Sequence, residues 1–183
     1  MPILGIIASQ DYNRVTNSYE SIMTATVSTA VGYVEFTSIP STFTHLQIRA
    51  IADTTAGDVS IKAQFNGDTG SNYSWHTMYG DGGGSAYSDY NGVSSTAYTS
   101  FARGGNGSGV FSASVIDILD YKDTNKYKSV KSLTGKDNNG SGIVWLSSGS
   151  WRNTNAITSI TITPESGNLK TYTTFALYGI KGV

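Results

Sequence analysis

Apolar and polar residues alternate with a period of two along much of this chain, and a period of 3.6 is hard to find anywhere. Residues 59–65 show it most clearly. There Val59, Ile61, Ala63 and Phe65 fall on one face and Ser60, Lys62 and Gln64 on the other. In 45–49, Leu46 and Ile48 point inward, and Ile160 and Ile162 alternate with Thr161 and Thr163. Over 173–178 both faces are rather apolar, as in a strand covered on two sides. Further strands are predicted over 22–27, 31–37, 73–78, 97–103, 110–118, 127–133 and 143–147, all rich in β-branched and aromatic residues. In 111–118 the apolar set changes frame, from Phe111, Ala113 and Val115 to Ile116 and Ile118. A bulge or a crossing between sheets would explain that change.

Turn residues separate these runs. Asn66-Gly67-Asp68 and Asn138-Asn139-Gly140 are strong turn signals. Pro40 and Pro164 end strands by removing a ladder donor. Residues 80–95, around Gly82-Gly83-Gly84, and 104–109 read as long loops. About ten short strands with frequent turns predict an all-β fold with little or no helix. An antiparallel, jelly-roll-like β-sandwich is the expected form. Residues 1–20 read as an N-terminal arm or a first strand, and 21–183 as a single sandwich domain. The apolar start, Pro2 to Ala8, has no basic residue before it and reads as mature protein.

Composition narrows the partners. Only 14% of the 183 residues are charged, with 12 basic, 13 acidic and a net charge of −1. Nucleic-acid binding and a polybasic membrane anchor are therefore not expected. No apolar run reaches the roughly 20 residues of a membrane helix. Without a single Cys, the chain has no disulfide framework, thiolate metal site or Cys nucleophile.

Catalytic signals are sparse. There are two histidines, His45 and His76, and no G-x-S-x-G elbow. Asp117, Asp120 and Asp123 cluster, but Asp120 and Asp123 lie beside Asn125 in a predicted turn, where such side chains bond local backbone. Asn66-Gly67-Asp68 lacks the alternating ligands of a calcium loop. No catalytic residue, metal or cofactor is expected, and the residues read as those of a protein that is not an enzyme. The aromatic residues around the long loop are the binding candidates: Trp75, Tyr79, Tyr87 and Tyr90. Such rings serve equally as core packing, protein-interface anchors or platforms for a glycan.

Several stretches occur in a familiar order. They are Met1-Pro-Ile-Leu-Gly-Ile-Ile-Ala-Ser9, Phe36-Thr-Ser-Ile-Pro40, His45-Leu-Gln-Ile-Arg49, Phe65-Asn-Gly-Asp68, Ile116-Asp-Ile-Leu-Asp-Tyr121, Ile157-Thr-Ser-Ile-Thr161 and Phe175-Ala-Leu-Tyr-Gly-Ile-Lys-Gly182. Together they resemble small virion structural proteins of tailed bacteriophages, cyanophages among them. The resemblance implies a protein of the virion, assembled in the host cytoplasm. Its role would be that of a capsid cement (decoration) protein holding the major capsid protein and copies of itself, as a trimer or dimer. A tail fibre or receptor-binding tip recognising a host surface receptor is the alternative it implies. For the contact with capsid or neighbouring subunits the candidates are Pro2, Ile3, Leu4, Ile6 and Ile7.

Overall fold

The computed structural model describes residues 18–105, 107 and 109–182, and these form an all-β, antiparallel sandwich with no helix among them. Its twelve strands are β1 (Tyr19–Thr26), β2 (Val34–Phe36), β3 (His45–Ala52), β4 (Ser60–Phe65), β5 (Tyr73–Gly80) and β6 (Ala86–Ser95), followed by β7 (Tyr98–Arg103), β8 (Ser112–Leu119), β9 (Lys128–Asp137), β10 (Gly142–Trp151), β11 (Ile160–Pro164) and β12 (Thr174–Ile180). One sheet has eight strands in the order β1-β12-β3-β8-β9-β10-β5-β6, and the other four in the order β2-β11-β4-β7. The arm candidates Pro2, Ile3, Leu4, Ile6 and Ile7 lie outside the described residues. Tyr19 and Glu20 belong to β1, whose pairing with β12 begins at Tyr19↔Ile180.

The alternating segments place their apolar sets in one core, as removing apolar surface from water requires. Leu46, Ile48 and Ala50 of β3, Ile116 and Ile118 of β8, and Phe175 and Leu177 of β12 meet Ile61, Ala63, Phe65, Ile160 and Ile162 of the smaller sheet. β7 lies against the inner side of the larger sheet. Its Tyr98 packs so closely on Gly149 of β10 that a Cβ there would come within 2.1 Å of the ring and 2.8 Å of the Ser74 carbonyl oxygen. Gly149→Ala is therefore expected to cost about 1–3 kcal/mol through overpacking, seen as a lower urea midpoint with an unchanged m-value.

Two sequence expectations are corrected. Residues 80–95 are not a long loop: β5 and β6 pair as a hairpin from Gly80↔Ala86 to Tyr73↔Ser95, with an irregularity between Tyr73 and Trp75. The Gly-rich stretch is only the tip of that hairpin. β6 escaped the pattern because it is an edge strand, free of a covering layer that would impose alternation on its sequence. The frame change in 111–118 is not a bulge either, since β8 pairs without a register shift with both β3 and β9. Its inward set is Ser112, Ser114, Ile116 and Ile118, and Ala113 and Val115 face outward.

That reversal extends across the middle of the large sheet. Ser112, Ser114, Ser132, Thr134 and Ser147 are buried on its inner side. The Ser114 and Thr134 hydroxyls bond at 2.8 Å, those of Tyr98 and Ser147 at 2.6 Å, and Ser112 Oγ donates to the Ala52 carbonyl at 3.1 Å. Partnering of this kind is what makes buried hydroxyls tolerable. Val115, Leu133, Val144 and Leu146 of the same strands face out, whereas Ile116, Ile118 and Val130 face in.

Candidate functional site

The large sheet presents two surfaces with different chemistry. Its outer face carries an apolar strip set by cross-strand register. Ile51 lies opposite Ala113, Val115 opposite Leu133, Leu133 opposite Leu146, and Leu146 opposite Met78. Period-two geometry puts all of them on the side away from the core. Exposure is 50% for Ile51, 51% for Leu133, 62% for Val144 and 55% for Met78. Gly135, between Ala113 and Val144, has no atom near the position a Cβ would take. The small residues there leave a trough of about 590 Å³ flanked by Ile51, Val115, Leu133 and Val144.

Charge is nearly absent from this face. The outward positions of the eight strands hold Arg49 and Lys131 against Asp117 and Asp137. Asp117 lies opposite Lys131 and accepts a hydrogen bond from Gln47 Nε2 at 2.7 Å. The Arg49 guanidinium lies 5.6 Å from the Tyr19 ring centroid and 5.7 Å from that of Tyr178. Asp117 and Lys131 lie at one end of the strip and Asp137 at the other, and Arg49, opposite Val115, lines the trough.

The inner side of β6, β5 and β10 carries a row of rings. Tyr87 stacks on Tyr79 at 5.0 Å, Tyr79 on Trp145 at 4.6 Å, and the Arg103 guanidinium caps Trp145 at 4.7 Å. Asp58 holds Arg103 in place, at 2.9 Å from Nε and 2.8 Å from the second guanidinium nitrogen, and lies 2.7 Å from Lys136 Nζ. Burial raises the Asp58 carboxyl, but the hydrogen bonds from Lys136 and Arg103 outweigh it and hold the group below its ordinary value of 3.8. A carboxyl whose folded-state value is lowered stabilises the fold above the unfolded value, and the contribution fades as pH falls through the folded value. Acid titration of thermal stability should show a loss beginning below about pH 4, and Asp58→Asn should flatten that limb.

The four aromatic binding candidates separate. Tyr79 and Tyr87 share the inner row. Tyr90 projects from the opposite side of β6 and stacks on His76 at 5.7 Å. Trp75 is partly buried and packs against the core. Trp145 and Arg103, which complete the row, were not candidates on sequence. The signal that would have found them is the register of β10 against β5, which sets Trp145 opposite Tyr79.

The polar candidates sit in turns. Asp68 accepts from Trp151 Nε1 at 2.7 Å, Asn72 Nδ2 at 2.9 Å and the Gly70 amide at 2.8 Å, so the 66–70 segment is a structural turn. The Asp123 carboxylate accepts from the Asn125 amide at 2.7 Å, and Asp120 lies 2.6 Å from Lys126 Nζ. His45 Nδ1 accepts from the Asp120 amide at 2.9 Å.

No family model and no curated protein matches the chain. Among solved structures it is similar to alginate lyase Aly36B, with 14% identity, a TM-score of 0.36, and coverage of 91% of this chain and 97% of that one. It is also similar to a mutant of that enzyme in complex with an alginate tetrasaccharide, with 10% identity, a TM-score of 0.32, and coverage of 90% and 98%. This finding corrects the expectation that the chain is not an enzyme, which is withdrawn. That expectation rested on scarce histidines and a missing elbow motif, and counting residue types along a chain does not register groups that folding brings together. At these TM-scores the likeness carries no argument for any particular activity.

Proposed function

We propose that this chain is a structural protein of a tailed-phage virion, a cement protein that binds the assembled head through non-covalent contacts with capsid subunits. The observation that supports this reading is the outer face of the eight-stranded sheet. Hydroxyls turned inward and aliphatics turned outward leave a broad, nearly uncharged apolar surface. Large exposed patches of this kind mark surfaces that other protein covers. Low charge suits such a surface, because a charge buried without a partner is costly. The resemblance of the sequence to virion proteins supplies the setting, and Pro2 to Ile7 remain the proposed shell contact. Cement proteins stabilise by mass action, since a ligand that binds only the assembled shell shifts the equilibrium toward it.

The test is co-sedimentation of the purified protein with expanded capsids that lack it, together with the melting temperature of those shells. Saturable binding at a stoichiometry set by shell symmetry, with a raised shell melting temperature, is the expected result. Protein left wholly in the supernatant would overturn the reading.

A tail-fibre or receptor-binding tip is favoured by a different observation, the Tyr87–Tyr79–Trp145 row capped by Arg103. An aromatic row beside a cation is suited to a host-surface glycan. Specific binding to host cells, lost in Tyr87→Ala and kept in Tyr90→Ala, would select this role over the cement role.

A further inference from the structure

We infer that the outer face of the eight-stranded sheet mates with the same face of a second copy of this chain, giving a two-fold dimer held together by the strip around Leu133. The inference rests on the proposed function's reading of this face as protein-covered; it names a second copy as the occupant, so the capsid contact falls to Pro2 to Ile7.

Three features of the face point to a second copy. The first is charge. In a two-fold pair every outward charge meets its own surface again, so an excess of either sign would repel. Here Arg49 and Lys131 balance Asp117 and Asp137, with Arg49 at the trough's edge and the Ile51, Val115, Leu133 and Val144 side chains carrying no charge.

The second feature is shape. One patch holds both a trough, at Ala113 and Gly135, and adjoining projections, at Leu133 and Val144. An isologous interface needs both on one surface, because each copy supplies the knob that fills the other's hole. Gly135 leaves that hole open, with no atom near its missing Cβ.

The third feature is area. Eight strands spaced about 4.8 Å apart make a face about 34 Å wide. About four outward residues per strand give it a height of roughly 20 Å. The product, roughly 700 Å², is close to the ~800 Å² per partner of a standard stable interface. Two twisted sheets can pack face to face at about −30° and about 10 Å apart, as the layers of a sandwich do.

The experiment measures the mass of the full-length protein in solution by light scattering and sedimentation equilibrium, without capsids. The expected species has twice the 19.4 kDa of the chain. Leu133→Lys and Val144→Lys should each shift it to monomer while leaving the thermal melt of the fold intact, because both side chains face outward. The chain has no Cys, so Leu133→Cys introduces a single thiol near the two-fold axis. Mild oxidation should then cross-link the dimer, and Tyr172→Cys, in the loop before β12, should not.

A monomer across the measured concentration range would overturn the inference. So would a dimer that survives both lysine substitutions and leaves Leu133→Cys unlinked, since its contacts would lie elsewhere. The capsid assay is read separately. Shell binding by a strictly monomeric protein would sink the dimer and leave the cement role standing. A dimer that ignores capsids would do the reverse.

Discussion

Replacing Lys128 by Met should lower the unfolding free energy by about 3 kcal/mol, because it leaves three buried carbonyls without their shared charged donor. Lys128 opens β9 and is fully buried. Its ammonium donates to the carbonyls of Asp123, Lys126 and Thr154, the last two at 3.0 Å. Three carbonyls from two separate segments thus share one donor group. Met matches the stem in length and apolar character but offers no donor. Each orphaned carbonyl then costs roughly 1–3 kcal/mol, offset in part because no ammonium need be desolvated. Arg should not rescue the site fully, since its planar fork does not match three carbonyls converging on one point. Urea unfolding monitored by circular dichroism would measure the loss. A change below ~1 kcal/mol would mean that water reaches these carbonyls once the ammonium is gone.

Truncating Trp151 should have a comparable effect. Trp151→Ala is expected to cost about 3–5 kcal/mol, the usual range for a large buried ring. The ring sits 5.6 Å from Phe65 and 6.5 Å from Tyr73, nearly parallel to the latter. Its Nε1 donates to Asp68 Oδ2. Burial raises the Asp68 carboxyl, but the bonds from Trp151, Asn72 and Gly70 bring it below its ordinary value. The substitution therefore removes both a large packed volume and a donor to a carboxylate. Trp151→Phe, which keeps most of the volume, separates the two contributions, and its smaller loss reports mainly the missing hydrogen bond. Trp151 lies opposite Lys128 on one side and Tyr73 on the other. The Lys128→Met and Trp151→Ala losses should therefore not add, and a double-mutant cycle should show coupling above about 0.5 kcal/mol.

Both residues illustrate what sequence patterning does and does not carry. The alternation over 59–65 and 45–49 identified β4 and β3 and the side each buries, because each strand lies between an apolar layer and solvent. Asn66-Gly67 was legible as a turn because both residues adopt positive φ, 53° and 64°, which Asn and Gly tolerate better than most. The alternation carries no mark of Lys128's role, since its value as a donor depends on carbonyls brought in from residues 123–126 and 154. The aromatic row was half legible. Tyr79 and Tyr87 were candidates around a stretch read as one long loop, whereas Trp145 and Arg103 join them only through β10 and β7.

The sequence by itself determined the all-β class, the positions of most strands and turns, and an unusually uncharged surface. Local backbone sterics and period-two burial act within a few residues, so they leave their mark on the order of residue types. Only the tertiary structure decided which face of β8, β9 and β10 turns inward. Over 112–115, 132–135 and 144–147 a hydroxyl set and an aliphatic set alternate, and either could face a core if its neighbours agreed. Tyr98, Ala52 and Thr134 supply partners for the hydroxyls, so those face in. Val115, Leu133, Val144 and Leu146 are left outside, on the surface where the proposed assembly would form.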